Sequence, residues 1–164
     1  MKYDLVIFDL DGTLMDTSKS ITKTVNSAME ELGKKQYSAN ECVKFVGGGV
    51  SGLARNILGK EKYEDVTNEE MEKVIRKYYD IYFDYGVEPY EGIPELLDFL
   101  EKNGVKKGIV TNKDHETALS AVDKKLSKWK FDGIFGSNEK EYPNKPNPYN
   151  VDKMAQNLNI SKEK

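Results

Sequence analysis

The 164-residue chain holds one cysteine and one histidine. Cys42 has no second thiol to join, so an intrachain disulfide is excluded, and with His115 as the sole imidazole no Cys/His set of structural-zinc size can assemble. The same scarcity removes cysteine–histidine nucleophiles and leaves Ser-His-Asp triads almost no material. Long apolar runs are missing as well. No stretch approaches the roughly 20 residues of a membrane-spanning helix, and Met1-Lys2-Tyr3-Asp4-Leu5 leads straight into a structural pattern without a signal-peptide segment in front. Positive charge is not in excess either: 25 Lys and Arg face 28 Asp and Glu, a formal net charge of −3, with a pI near 5.4 and no long basic run. That balance speaks against an electrostatic nucleic-acid binder. These absences predict a cytoplasmic protein with neither membrane nor nucleic-acid partners. What remains is 38% apolar and 32% charged. A chain of this length can bury roughly 70% of its unfolded surface, so it needs no covalent or metal staple, although the mean hydropathy of −0.68 is low for a packed domain.

Leu5-Val6-Ile7-Phe8 is a short apolar run ending at Asp9, the pattern of a strand buried on both faces of a parallel sheet. From Asp16 the rhythm turns helical. Ile21, Val25, Ala28, Met29 and Leu32 recur at spacings of three and four and stop at Gly33. Ser38 with Glu41 forms a capping box for a second helix reaching Gly47-Gly48-Gly49. A third stripe, Leu53, Ile57 and Leu58, ends at Gly59. Thr67 with Glu70 caps a fourth helix through Met71, Val74, Ile75, Tyr78, Tyr82 and Tyr85, ended by Gly86. After Pro89 helix and strand alternate, which predicts a parallel α/β sheet. Pro94 opens a helix closed by Asn103-Gly104, 105–110 reads as a strand, 114–129 as a helix, 131–135 as a weak strand or loop, and Pro148 opens a last helix. The fold expected is therefore α/β, a Rossmann-like parallel sheet core interrupted by an all-helical insertion. Its segments are 1–15 for the first strand and loop, 16–87 for the helices and 88–164 for the rest of the core.

Asp9-Leu10-Asp11-Gly12-Thr13-Leu14-Met15-Asp16 carries the most chemistry. Two carboxylates one residue apart, just past a strand's C-terminal end, lie where open α/β sheets place their ligands. An ionised aspartate can attack phosphorus, a neighbouring one can protonate the leaving oxygen and later activate water, and such a pair invites a hard cation such as Mg2+. Asp-Gly alone would only be a turn; the whole octet after an apolar strand is far more specific.

The octet resembles the first motif of the haloacid dehalogenase superfamily of phosphohydrolases, D-x-D-G-T-L-x-D, at every fixed position. The resemblance implies that Asp9 is the nucleophile that becomes an aspartyl-phosphate and that Asp11 is the general acid/base. Mg2+ would be held by the Asp9 carboxylate and the Asp11 backbone carbonyl. Ile109-Val110-Thr111-Asn112-Lys113 is similar to the second motif, a hydroxyl residue ending a later strand, so Thr111 and Asn112 are expected to bind phosphate. Lys145-Pro146-Asn147-Pro148 is similar to the third, K-P-x-P, which makes Lys145 the cation that neutralises nucleophile and phosphate. The helical insertion would be the family's cap domain. Residues 21–33, Val46-Gly47-Gly48-Gly49 and Thr111-Asn112-Lys113 look like its phosphoglycolate phosphatase branch. A related mutase branch carries a proton-shuttling histidine in the first cap helix; the matching position here is Ile21, which favours hydrolysis. The three glycines could admit a close approach to substrate or merely form a flexible loop. His115 reads as a first-turn surface residue, and the tyrosines of 78–85 as bundle core.

The family's fourth motif, an acidic pair or triplet completing the magnesium site, is expected after one further strand, but the sequence reaches Ile160-Ser161-Lys162-Glu163-Lys164 without it. The C-terminal part of the core is thus expected to be missing, leaving Leu5-Val6-Ile7-Phe8 as a sheet edge. The resulting expectation is a magnesium-dependent phosphomonoesterase acting on a small phosphorylated metabolite such as phosphoglycolate. The alternatives are a phosphosugar mutase, or an inactive fragment that only binds phosphate or a protein partner.

Overall fold

The structure, a computed structural model, describes residues 2–138 and 140–161. Its first strand, β1 (Leu5–Phe8), runs into a tight loop, then a two-residue strand β2 (Met15–Asp16). Four helices follow: α1 (Ser18–Glu31), α2 (Ala39–Lys44), α3 (Gly49–Glu61) and α4 (Asn68–Tyr82). The chain then passes through β3 (Glu88–Pro89), α5 (Ile93–Lys102), β4 (Lys106–Asp114), α6 (His115–Leu126), β5 (Gly133–Ser137) and α7 (Tyr149–Asn157). The fold is α/β with a parallel three-stranded sheet in the order β1-β4-β5. Two compact units emerge, one from Thr17 to Val87 and one from the segments on either side.

In the sheet unit, β1 registers Leu5 to Lys106 and Phe8 to Ile109. β1 is an outer strand of the described sheet, and Leu5, Val6 and Ile7 are only half-buried, not covered on both faces as their apolar run suggests. The central strand β4 is buried along most of its length. Helix α7 seats Met154 directly over Gly108 and Gly133, and a Cβ on Gly108 would stand 1.9 Å from the Met154 sulfur. Trp129, beyond α6, donates its indole N–H to Asp98 on α5 at 2.6 Å. A two-stranded antiparallel sheet not foreseen in the sequence pairs β2 with β3, Met15 opposite Pro89 and Asp16 opposite Glu88. Two residues on each strand are too few to produce a readable alternation.

The helical unit closes around its own core of Ile21, Val25, Met29, Cys42, Leu53, Ile57, Met71 and Ile75 among others. Both capping boxes form: Glu41 accepts from the Ser38 N–H and hydroxyl, and Glu70 accepts from the Thr67 N–H while Thr67 Oγ1 accepts from Glu70 N–H. Asn26 clamps Tyr37, its amide donating to the Tyr37 carbonyl and accepting from the Tyr37 N–H, both at 2.8 Å. Helix α3 runs through Gly59 to Glu61 and stops at Lys62, which takes the left-handed conformation. An interior glycine costs a helix only about 1 kcal/mol, less than the packing of Leu53 and Ile57 supplies. Helix α4 ends at Tyr82, ahead of Gly86. Tyr79 joins the core, Tyr78 and Tyr82 stack, and Tyr85 is exposed, so only part of the tyrosine cluster is bundle core.

Candidate active site

The loop after β1 is built around Leu10. Its side chain is fully buried, and its carbonyl accepts from the N–H groups of Thr13, Leu14 and Met15 at 3.0 to 3.3 Å. The tight turn needs Gly12 at a φ of +78°, in the left-handed region that favours glycine. Leu10 and Leu14 anchor the loop below, while Asp9 and Asp11 on either side of Leu10 keep side chains 40% and 21% exposed. The two carboxylates are therefore held at the C-terminal edge of the parallel sheet, accessible to a ligand.

The end of β4 supplies the second part. Between Val110, opposite Phe135, and Asp114, opposite Ser137, the ladder with β5 shifts register. Such an irregularity re-aims side chains at a strand end, here Thr111, Asn112 and Lys113. The strand carries on through Thr111-Asn112 to Asp114, whose carboxylate caps α6 by accepting from the Thr117 N–H. Thr111 is buried and its hydroxyl oxygen accepts from the Lys113 N–H at 3.2 Å. A hydroxyl that accepts there can still donate its own proton. Gly136 on β5 makes room for this turn: a Cβ would lie 2.5 Å from His115 Cα and 2.8 Å from the Lys113 carbonyl oxygen. The Gly136 N–H donates to His115 Nδ1 at 3.1 Å, which gives the sole histidine a structural partner in the first turn of α6.

The third part is the segment between β5 and α7. Phe135 meets Tyr142 edge-on and Tyr142 stacks with Tyr149, a ladder running from the strand to the helix. Lys145 sits within it, ahead of a cis bond to Pro146. Its ammonium lies 2.7 Å from Asp9 Oδ1. Its backbone is clamped by Asn112, which donates Nδ2–H to the Lys145 carbonyl at 3.1 Å and accepts at Oδ1 from the Lys145 N–H at 2.9 Å. The Asn112 side chain thus holds the lysine segment, with one Nδ2–H and Oδ1 engaged there.

Of the five residues singled out in the sequence, Asp9, Asp11, Thr111, Asn112 and Lys145, the structure links Asp9 to Lys145 and Asn112 to Lys145, and sets Thr111 one residue before Asn112 on β4. It adds Lys113, to which sequence reasoning gave no role. Lys113 Nζ stands 3.2 and 3.3 Å from the two oxygens of Asp11, and its side chain is 2% exposed. A lysine two residues past a strand-end threonine reads as surface charge; its burial could be inferred only from the register shift. Each aspartate has its own lysine, so two like charges crowded in one turn are offset locally. Among the described residues no group of three or more His, Cys, Asp or Glu gathers to hold a metal.

Comparison with known proteins identifies the family. The family described as haloacid dehalogenase-like hydrolase matches residues 6–164. The chain is 34% identical over 163 residues to a phosphoglycolate phosphatase of Aquifex aeolicus, covering 98% of this chain and 72% of that protein. It is 31% identical over 163 residues to the pyrophosphatase PpaX of Halalkalibacterium halodurans, covering 99% and 73%. The fold superposes on the crystal structure of a predicted phosphoglycolate phosphatase from Haemophilus somnus with a TM-score of 0.86 at 22% identity, over 98% of this chain and 73% of that one. With the family match running over nearly its whole length and a relative at 34% identity, the chain belongs to the haloacid dehalogenase-like hydrolases.

Proposed function

We propose that the chain carries the catalytic core of a magnesium-dependent phosphomonoester hydrolase acting on a small phosphorylated metabolite such as phosphoglycolate. The observation that carries this reading is the pairing of two aspartates on one turn, each with a separate lysine, one of which donates its backbone N–H to the Thr111 hydroxyl oxygen. In the first step an Asp9 oxygen bonds to phosphorus as the ester P–O bond breaks, and Asp11 gives its proton to the departing oxygen. In the second, Asp11 takes a proton from the water that attacks phosphorus, and the Asp9–phosphoryl bond breaks to release inorganic phosphate. Lys145 and the Thr111 hydroxyl donate to the non-bridging oxygens, where charge must be held during transfer. Asn112 keeps Lys145 in place.

The donor set fits magnesium, which takes one or two carboxylates and completes its octahedron with water and phosphate oxygens. The Asp9 carboxylate and the Asp11 backbone carbonyl would hold it. When bound, Mg2+ supplies positive charge to the phosphoryl oxygens.

The helical unit is read as a cap that restricts which esters reach the site, and Ile21, buried in its core, leaves no proton carrier at the position a mutase would need. A second reading, hydrolysis of inorganic pyrophosphate, is favoured by the 31% identity to PpaX. Phosphate release from phosphoglycolate, other small phosphoesters and pyrophosphate, with and without Mg2+, separates the two. The Asp9→Asn variant should fold and lose at least about a thousandfold in turnover. Wild-type-like release by that variant would remove Asp9 as nucleophile.

A further inference from the structure

Lys113 is a buried cation whose contact with Asp11 the hydrolytic scheme above leaves unused. Its ammonium sits 3.2 and 3.3 Å from the two carboxylate oxygens, straddling the group instead of touching one corner. Lys113 lies in the stretch between Val110 and Asp114 where the β4 ladder shifts register. The backbone is fixed there by the Lys113 N–H bond to Thr111 Oγ1 and by the close approach of Gly136 to the Lys113 carbonyl. The Lys113 backbone is held by β4 and β5, whereas Asp11 belongs to a turn with a 21% exposed side chain.

We propose that Lys113 is a positioning residue for Asp11: it fixes the plane of the acid/base carboxylate for proton delivery to the leaving oxygen, while Lys145 serves Asp9 separately. This rests on the phosphatase reading. The charge argument agrees with the geometry. As Asp11 releases its proton to the ester oxygen, the negative charge appearing on its carboxylate meets an ammonium already in place, which needs no reorganisation. A misplaced acid, by contrast, loses the alignment on which general-acid catalysis depends.

Leaving-group dependence tests the proposal. An alkyl phosphate cannot expel its alkoxide without a proton, whereas 4-nitrophenyl phosphate expels a stabilised anion without one. Both are assayed as kcat/KM, which reports the phosphorylation step, in the full chain and in Lys113→Met. The expected result is a loss of about a hundredfold on the alkyl ester, within the range of a general acid, and no more than about threefold on the nitrophenyl ester. Asp11→Asn should show the same asymmetry, and adding Lys113→Met to it should change little further, because both remove one function. Equal losses on the two esters would make Lys113 a structural residue only and overturn the proposal, as would no loss on either. Lys113→Gln, of similar length and still polar, carries the same comparison if the methionine variant does not fold. A wild-type chain that hydrolyses neither ester would sink the phosphatase reading itself, and the proposal with it.

Discussion

Asn112 and Lys145, 33 residues apart, are joined by a closed pair of hydrogen bonds in which one side-chain amide satisfies both the N–H and the carbonyl of one backbone residue. Asn26 holds Tyr37 by the same device in the helical unit. In the sheet unit the clamp ties the end of β4 to the segment that brings an ammonium to Asp9, so a side chain without chemistry of its own sets where the cation stands.

Breaking that clamp should therefore be felt in turnover before it is felt in folding. Asn112→Ala is expected to lower kcat by about tenfold to a hundredfold, the scale of a small misplacement of a catalytic group. The lost pair should lower unfolding free energy by about 1–3 kcal/mol. Asn112→Asp keeps the acceptor for the Lys145 N–H but sets a carboxylate oxygen against the Lys145 carbonyl, so it should do no better than Asn112→Ala. Phosphate release and urea unfolding read both quantities, and undiminished turnover in a folded Asn112→Ala protein would detach Asn112 from the site.

Gly136 gives a second test. A Cβ there would press on backbone atoms of Lys113 and His115, which cannot swing aside as a side chain end can. Gly136→Ala should destabilise by about 1–3 kcal/mol and depress activity, because the turn that moves carries Lys113. Gly133→Ala meets only the flexible Met154 side chain at 3.4 Å or more and should be far milder. Equal melting temperatures for the two variants would contradict the close approach.

Acid should weaken the helical unit in a defined window. Hydrogen bonds from the Ser38 hydroxyl and N–H hold the Glu41 carboxyl down at about 2, against an ordinary 4.5. The Thr67 N–H lowers Glu70, Lys34 lowers Asp65 and Lys77 lowers Glu31. A carboxylate with a depressed folded pKa adds stability that is complete above the unfolded value and lost as pH falls through the folded one. The urea midpoint of the helical signal should thus stay level above pH 5 and decline from about pH 4.5 toward 2. Glu41→Gln should make that decline shallower. A midpoint that rises on acidification would mean these contacts are absent in solution.

Much of this was legible from residue order, and what was not has identifiable physical causes. Capping boxes at Ser38 and Thr67 are written in four consecutive residues, and the apolar stripes of α1 and α4 repeat often enough to be read. The D-x-D-G-T-L-x-D octet is readable without tertiary information because its fixed residues are contiguous in one strand-end turn. The contact of Lys113 with Asp11, the hold of Asn112 on Lys145 and the β2–β3 pair were not legible. Lys113 depends on a register shift between strands, Asn112 on a partner 33 residues away, and a two-residue strand has no period. The half-burial of β1 likewise depends on which strands flank it, a property of the sheet and not of Leu5-Val6-Ile7-Phe8.

If the helical unit screens substrates, replacing residues 17–87 with a short glycine link should broaden specificity more than it impairs attack on phosphorus. The preference for small over bulky phosphoesters is expected to fall by about tenfold or more. The measurement is the ratio of kcat/KM for the two classes in a folded variant, and an unchanged ratio would reject a cap role.

The β2–β3 pair also bears on the order in which the molecule assembles. Joining β1 to β4 from an open chain means closing a loop of roughly a hundred residues, and parallel pairing of that kind is slow because the entropy is lost before contacts repay it. Once Asp16 is opposite Glu88 and the helices between them have folded, the loop left to close is about 25 residues, an entropic saving of about 1 kcal/mol. Early helix formation therefore speeds the zippering of a sheet to which the helices contribute no strand, and a variant that melts the helical core should show its defect as slow refolding of β1 onto β4.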